Sequence, residues 1–169
     1  EWLHGVSLTA PFGVKTTEAP FYRRVGLQAS AAGGSDDDGS PDGGGERVAN
    51  RRGGITAGRG FAFVSHTGEV YPSGFLPRSA GSVQDRSVVE IYRNAELFRS
   101  LRDTERLKGK CGACEFRQVC GGSRSRAFAV TGDPLESDPL CPHVPDGYNG
   151  PVPAAVSAET DGMDAVDFP

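Results

Sequence analysis

Long apolar runs are missing from this chain of 169 residues, and so is most of its possible sulfur: one methionine and four cysteines are all it has. No segment approaches the roughly 20 consecutive apolar residues that a membrane span needs, and no charged, apolar and small-residue leader opens the chain. The expected setting is the cytoplasm, with no membrane partner. Lysine is scarce as well, since Lys15, Lys108 and Lys110 are the only three among 18 basic residues. An arginine-heavy, acidic composition fits a salt-adapted or GC-rich source and says nothing about activity. The first residue is Glu1 and the one methionine is Met163, so the chain is expected to be a fragment or a processed piece.

The chain is rich in residues that interrupt regular structure. Its 24 glycines and 12 prolines leave room for one small domain with much irregular backbone. Residues 29–54 lack aromatic and large aliphatic side chains over the run Ala-Ala-Gly-Gly-Ser-Asp-Asp-Asp-Gly-Ser-Pro-Asp-Gly-Gly-Gly. Such a run cannot bury enough apolar area to offset the entropy of ordering it. It reads as a flexible acidic linker or loop insertion, and deletion of residues 30–54 is expected to be nearly neutral for stability. Its glycines do not form G-x4-G-K-[ST], which excludes a phosphate loop.

Charge is unevenly spread. Between Arg86 and Arg126 ten Lys or Arg face five Asp or Glu, whereas residues 146–169 hold five acidic residues and no basic one. A basic stretch without aromatic interleaving or a recognition-helix pattern does not read as a nucleic-acid footprint. It fits better around an anionic cluster or an acidic substrate.

Local signals place several elements. Lys15 to Val25 reads as the end of a strand followed by a short helix capped by Thr16 or Thr17, with Arg23 and Arg24 able to grip a carboxylate or to sit on a solvated face. Phe61–Ser65 and Glu69–Pro72 are β-prone runs joined by His66-Thr67-Gly68, a hairpin with glycine where a left-handed residue is needed; His66 at its tip could serve as a ligand or acid-base group, but a lone turn histidine is usually polar surface. Ser87-Val88-Val89-Glu90 is a capping box. Behind it Val88, Ile91, Tyr92, Ala95, Phe98 and Leu101 or Arg102 form one stripe along a helix of about 14 residues. Ser123 is the N-cap of a short helix from Arg124 to Thr131, stopped by Gly132, with its N-terminus toward the cysteines.

The cysteines are Cys111, Cys114, Cys120 and Cys141, spaced C-x2-C-x5-C-x20-C. Four thiols complete one tetrahedral metal site. From spacing alone an iron-sulfur cluster leads, and structural zinc stays open, although zinc usually presents two matched C-x2-C knuckles. A disulfide framework and a thioredoxin-like dithiol fit less well, the latter for want of a βαβ context. Gly121 and Gly122 let the backbone approach sulfur and offer N–H donors. His143 is a candidate fifth ligand, though four thiolates suffice.

The collinear runs Gly60 to Gly74, Ala80-Gly81-Ser82-Val83, Glu90-Ile91-Tyr92, Leu97-Phe98, Leu101-Arg102-Asp103 and Cys111 to Arg126 resemble a SPASM-type C-terminal domain of radical S-adenosylmethionine (SAM) enzymes. The C-x2-C-x5-C-x20-C pattern is similar to the haem-biosynthesis branch. This resemblance implies one auxiliary [4Fe-4S] cluster ligated by Cys111, Cys114, Cys120 and Cys141, serving electron transfer or substrate binding, with Arg117, Arg124 and Arg126 balancing its charge. Many SPASM domains hold two clusters, but Ser73 and Ser123 stand where relatives often have cysteine. The chain has no C-x3-C-x2-C motif, so SAM would be met only through a radical SAM catalytic barrel, missing or on a separate chain. An anionic porphyrin or a peptide is the implied substrate.

The expected fold is α+β, a small irregular domain with a β-hairpin, one amphipathic helix and a cysteine-ligated cluster loop followed by a short helix. The expected layout is 1–28 as the end of a catalytic barrel, 29–58 as linker, 59–145 as the SPASM-like iron-sulfur domain and 146–169 as an acidic disordered tail. The competing readings are a zinc-stabilised interaction domain and a non-functional remnant of a truncated gene.

Overall fold

The computed structural model describes residues 2–14, 16, 19–32 and 56–152. Most of the expected linker and the end of the acidic tail, residues 33–55 and 153–169, lie outside the described residues.

Two helices open the chain. Helix α1 (Trp2–Thr9), which no sequence signal marked, lies against α2 (Phe21–Ala32), with the His4 ring edge-on to Tyr22 at 6.4 Å. The expected start of α2 at Thr16 or Thr17 is corrected: the helix begins just past Pro20 and runs to Ala32. Pro20 restricts Ala19 to extended backbone and cannot donate into a preceding turn, so the helix cannot grow back toward the threonines.

The hairpin forms as expected. Strands β1 (Phe63–Val64) and β2 (Val70–Tyr71) pair antiparallel, Phe63 opposite Tyr71 and Val64 opposite Val70. The Ser65 amide donates to Glu69 O and the Gly68 amide to Ser65 O, while Gly68 takes φ +88°, the left-handed turn position that glycine fills without strain. His66 is exposed at the tip. The chain then doubles back beside β2, with Val70 N donating to Gly81 O and Ala80 N to Val70 O, both at 2.8 Å.

Ser87 caps the next helix by accepting from the Glu90 amide at 3.2 Å. The single helix of about 14 residues is corrected to two, α3 (Val88–Asn94) and α4 (Glu96–Arg102), because Ala95 turns to extended backbone with ψ 135°. Arg102 explains why the break is tolerated. Its guanidinium donates to the Tyr92 and Arg93 carbonyls at 2.6 and 2.9 Å and lies 4.9 Å over the Tyr92 ring. It thereby satisfies acceptors that the end of a helix leaves open.

The apolar stripe survives the break. Ile91 and Phe98 are fully buried with Val70 of the hairpin, and Ala62, Ala80, Tyr92 and Ala95 pack around them. A second cluster joins Leu76 and Leu101 to Ala57, flanked by Leu97, Phe128 and Leu135. Through Phe128 and Leu135 it ties α4 to the C-terminal half of the domain, which comprises a 3-10 turn (Thr104–Arg106), α5 (Gly109–Ala113) and α6 (Arg124–Thr131). The architecture is α+β, and among the described residues no helix is long and apolar enough to cross a membrane.

Candidate metal centre

All four cysteines reach one place. Cys111 is buried within α5, Cys114 ends that helix, Cys120 is buried after a run of turns, and Cys141 returns from beyond α6. Their thiols are free, and all four line a single cavity. The returning loop is pinned beside α5 at three points. The Lys108 amide donates to Leu135 O at 2.8 Å, the Lys110 amide to Ser137 Oγ at 2.8 Å, and the Lys108 ammonium pairs with Asp133 at 2.5 Å. Arginines brace the cysteine loop from the other side. Arg59 donates to Gln118 O at 3.2 Å and Arg23 of α2 to Val119 O at 3.5 Å.

Donors converge on the sulfurs. Cys111 Sγ accepts from the Asp138 amide at 3.3 Å and from Arg124 Nη2 at 3.4 Å, and Cys114 Sγ accepts from the Phe116 amide at 3.4 Å. Burial pushes the Cys120 thiol up to about 11, opposed by a hydrogen bond from the Gly122 backbone. Burial likewise raises Cys114. These thiols hold their protons until a metal displaces them, so metal uptake would release protons. Gly122 makes the close approach possible. At φ +66°, a Cβ there would stand 3.0 Å from Cys111 Sγ and 2.5 Å from Arg124 Nη2.

The start of helix α6 lies beside the cysteines, as expected, and also meets a carboxylate. Ser123 caps the helix by accepting from the Arg126 amide, as expected, and its own amide donates to Asp138 Oδ2 at 2.6 Å. Fully buried Asp138 also takes both ends of the Arg126 guanidinium at 3.1 and 2.8 Å. Arg126, which lies 5.1 Å over the Phe21 ring, is therefore paired with Asp138. Arg117 lines the cavity but forks onto Glu105 at 2.9 to 3.1 Å. Of the three arginines singled out in the sequence, Arg124 is the one on a cysteine sulfur.

Three residues that sequence reasoning did not place at the site belong there. Lys110 is buried and donates to the Cys141 carbonyl, Asp138 organises Cys111 and α6, and buried Arg24 lines the cysteine cavity. Asp138-Pro139 reads in sequence only as loop punctuation, and Arg24 precedes Cys111 by 87 positions, so no local pattern marks either. His143 lines the cavity too, 2.9 Å from Glu115 and edge-on to Phe116 at 5.6 Å. Among the described residues, the candidate ligand atoms of Cys114, Glu115 and His143 lie within 4.8 Å of one another.

No family model matches the chain. It is 41% identical over 144 residues to the AdoMet-dependent heme synthase of Methanosarcina barkeri, covering 85% of this chain and 40% of that enzyme. It is 39% identical over 93 residues to the pre-heme d1 synthase of Dinoroseobacter shibae, covering 53% of this chain and 23% of the relative. A 90-residue match to the PqqA peptide cyclase of Bradyrhizobium diazoefficiens, at 39% identity, covers 50% of this chain and 24% of the cyclase. The chain thus spans 40% or less of the length of these curated relatives. It is homologous to radical SAM enzymes that contain SPASM domains, as the resemblance in its motifs implied.

Proposed function

We propose that residues 59–145 form an auxiliary-cluster module of a radical SAM oxidoreductase, with Cys111, Cys114, Cys120 and Cys141 as thiolate ligands of one [4Fe-4S] cluster. The observation that carries this reading is the meeting of all four free thiols at one cavity with N–H donors already aimed at sulfur.

Such a cluster, when bound, supplies a one-electron acceptor or donor. The protein's own residues do the rest. The Asp138, Phe116 and Gly122 amides and the Arg124 guanidinium hold and polarise the sulfurs, and the shell of Lys110, Arg24 and the returning loop limits water. SAM chemistry belongs to a catalytic barrel carrying C-x3-C-x2-C, supplied by a longer form of the protein or by a separate chain. Its substrate is an anionic porphyrin or a peptide, in keeping with relatives named for haem synthesis and peptide cyclisation.

Anaerobic purification, reconstitution with iron and sulfide, and a visible spectrum with metal counts test this. The expected result is a brown protein with a broad band near roughly 400 nm and about four irons per chain. Cys114→Ala should lose the iron and unfold residues 104–145. A colourless chain holding one zinc would establish the zinc-stabilised domain instead, and normal iron in the Cys114 variant would overturn the ligand set.

A further inference from the structure

Buried cations surround the cysteines without carboxylates to match them. Arg24, Lys110 and Arg124 are only 7%, 2% and 4% exposed. Asp138 is the buried carboxylate nearby, and Arg126 already pairs with it. Lys110 and Arg124 at least meet backbone carbonyls, Lys110 at Cys141 and Arg124 at Pro134 and Glu136. Arg24 is less well served. Its Nη1 donates to Gln28 one turn along α2 at 2.7 Å, but its Nε is buried with no partner at all, in a side chain that lines the cavity of the four cysteines. A buried guanidinium with an idle donor is costly unless an anion sits beside it.

We infer that Arg24 is a charge-compensating residue for the cluster, reaching it from a helix 87 positions upstream of its first ligand. This rests on the cluster reading above. Four thiolates around an oxidised [4Fe-4S] core make a dianion, and one added electron makes a trianion. A fixed positive charge in a water-poor wall favours the more negative state, so Arg24 raises the reduction potential. Gln28 holds the guanidinium from within α2, and Arg23 anchors the same helix to the cysteine loop through Val119 O. Helix α2 is thereby part of the cluster site, a tuning element rather than a neighbour.

The test compares the reconstituted full chain with Arg24→Met and Arg24→Lys, titrated with dithionite as electron donor and followed by electron paramagnetic resonance, with iron counted in each. An iron-free wild type would sink the cluster reading before any variant is examined. With wild type loaded, the expected result is full iron in Arg24→Met with its potential shifted to more negative values, and Arg24→Lys much closer to wild type. An unchanged potential in loaded Arg24→Met overturns the inference, as does an equal shift in both variants. If Arg24→Met instead loses iron, recovery of iron by lysine supports charge compensation, and equal loss in both overturns it by marking a packing role.

Discussion

Asp138 holds Cys111 by its backbone and Ser123 by its side chain: the Asp138 amide lies 3.3 Å from Cys111 Sγ while its carboxylate receives the Ser123 amide at 2.6 Å. One residue thus fixes the Cys111 sulfur and the start of α6 together. Asp138→Ala removes the buried carboxylate that accepts from the partly exposed Arg126 guanidinium and from the Ser123 amide. It should cost about 3 kcal/mol, the low end for breaking a buried pair. Urea unfolding of the metal-free chain measures this, and the iron count of the variant should fall with it.

Two left-handed glycines should respond differently to alanine. At Gly122 the new methyl meets Cys111 Sγ, Asp138 Cβ and Arg124 Nη2 at 3.0 Å or less, whereas at Gly132, the stop of α6, it meets open space. Gly132→Ala should cost only about 1 kcal/mol, for the backbone conformation alone. Gly122→Ala should cost clearly more and lose its iron. Equal effects on melting temperature and iron content would show that the contacts at Gly122 do not matter.

Arg102 should govern the break between α3 and α4. Arg102→Ala removes two hydrogen bonds to carbonyls and the contact over Tyr92. The expected loss is roughly 2 to 3 kcal/mol, as for hydrogen bonds from a charged donor. Arg102→Lys should not restore it, since one ammonium cannot reproduce the planar fork. Thermal unfolding of both variants decides.

Cys120 predicts a response to pH. Burial lifts its thiol from the ordinary 9.0 to about 11. A raised folded-state pKa contributes stability that is complete below about 9 and is lost as pH rises toward about 11. The metal-free chain should therefore weaken across that interval, and Cys120→Ser should weaken less. A cluster-loaded chain should show no such slope from this group, because its ligands carry no proton to lose. Urea titrations across the interval check all three.

Much of this was legible one segment at a time. The hairpin around Gly68, the caps at Ser87 and Ser123 and the stop at Gly132 depend on a few consecutive residues, so turn and capping chemistry is sufficient to place them. The four cysteines could be read as one candidate donor set because three of them crowd into ten positions and the fourth completes a set of four. The helix break at Ala95 could not be read, because the residue that makes it tolerable, Arg102, acts through folding back on carbonyls nine to ten positions earlier. The start of α2 is ambiguous in sequence because Thr16 and Thr17 are both plausible caps, whereas the restriction imposed by Pro20 sets the helix start at Phe21.

The sequence by itself determined the hairpin, the caps at Ser87 and Ser123 and the stop at Gly132, since each follows from the preferences of neighbouring residues. Only the tertiary structure decided which charges meet the sulfurs. It paired Arg126 with Asp138 and Arg117 with Glu105, put Arg124 on Cys111, and brought Arg24 from α2 to the cavity wall. A long cationic side chain can reach many partners, and which one it meets depends on how distant segments pack, a contest that spacing along the chain does not record.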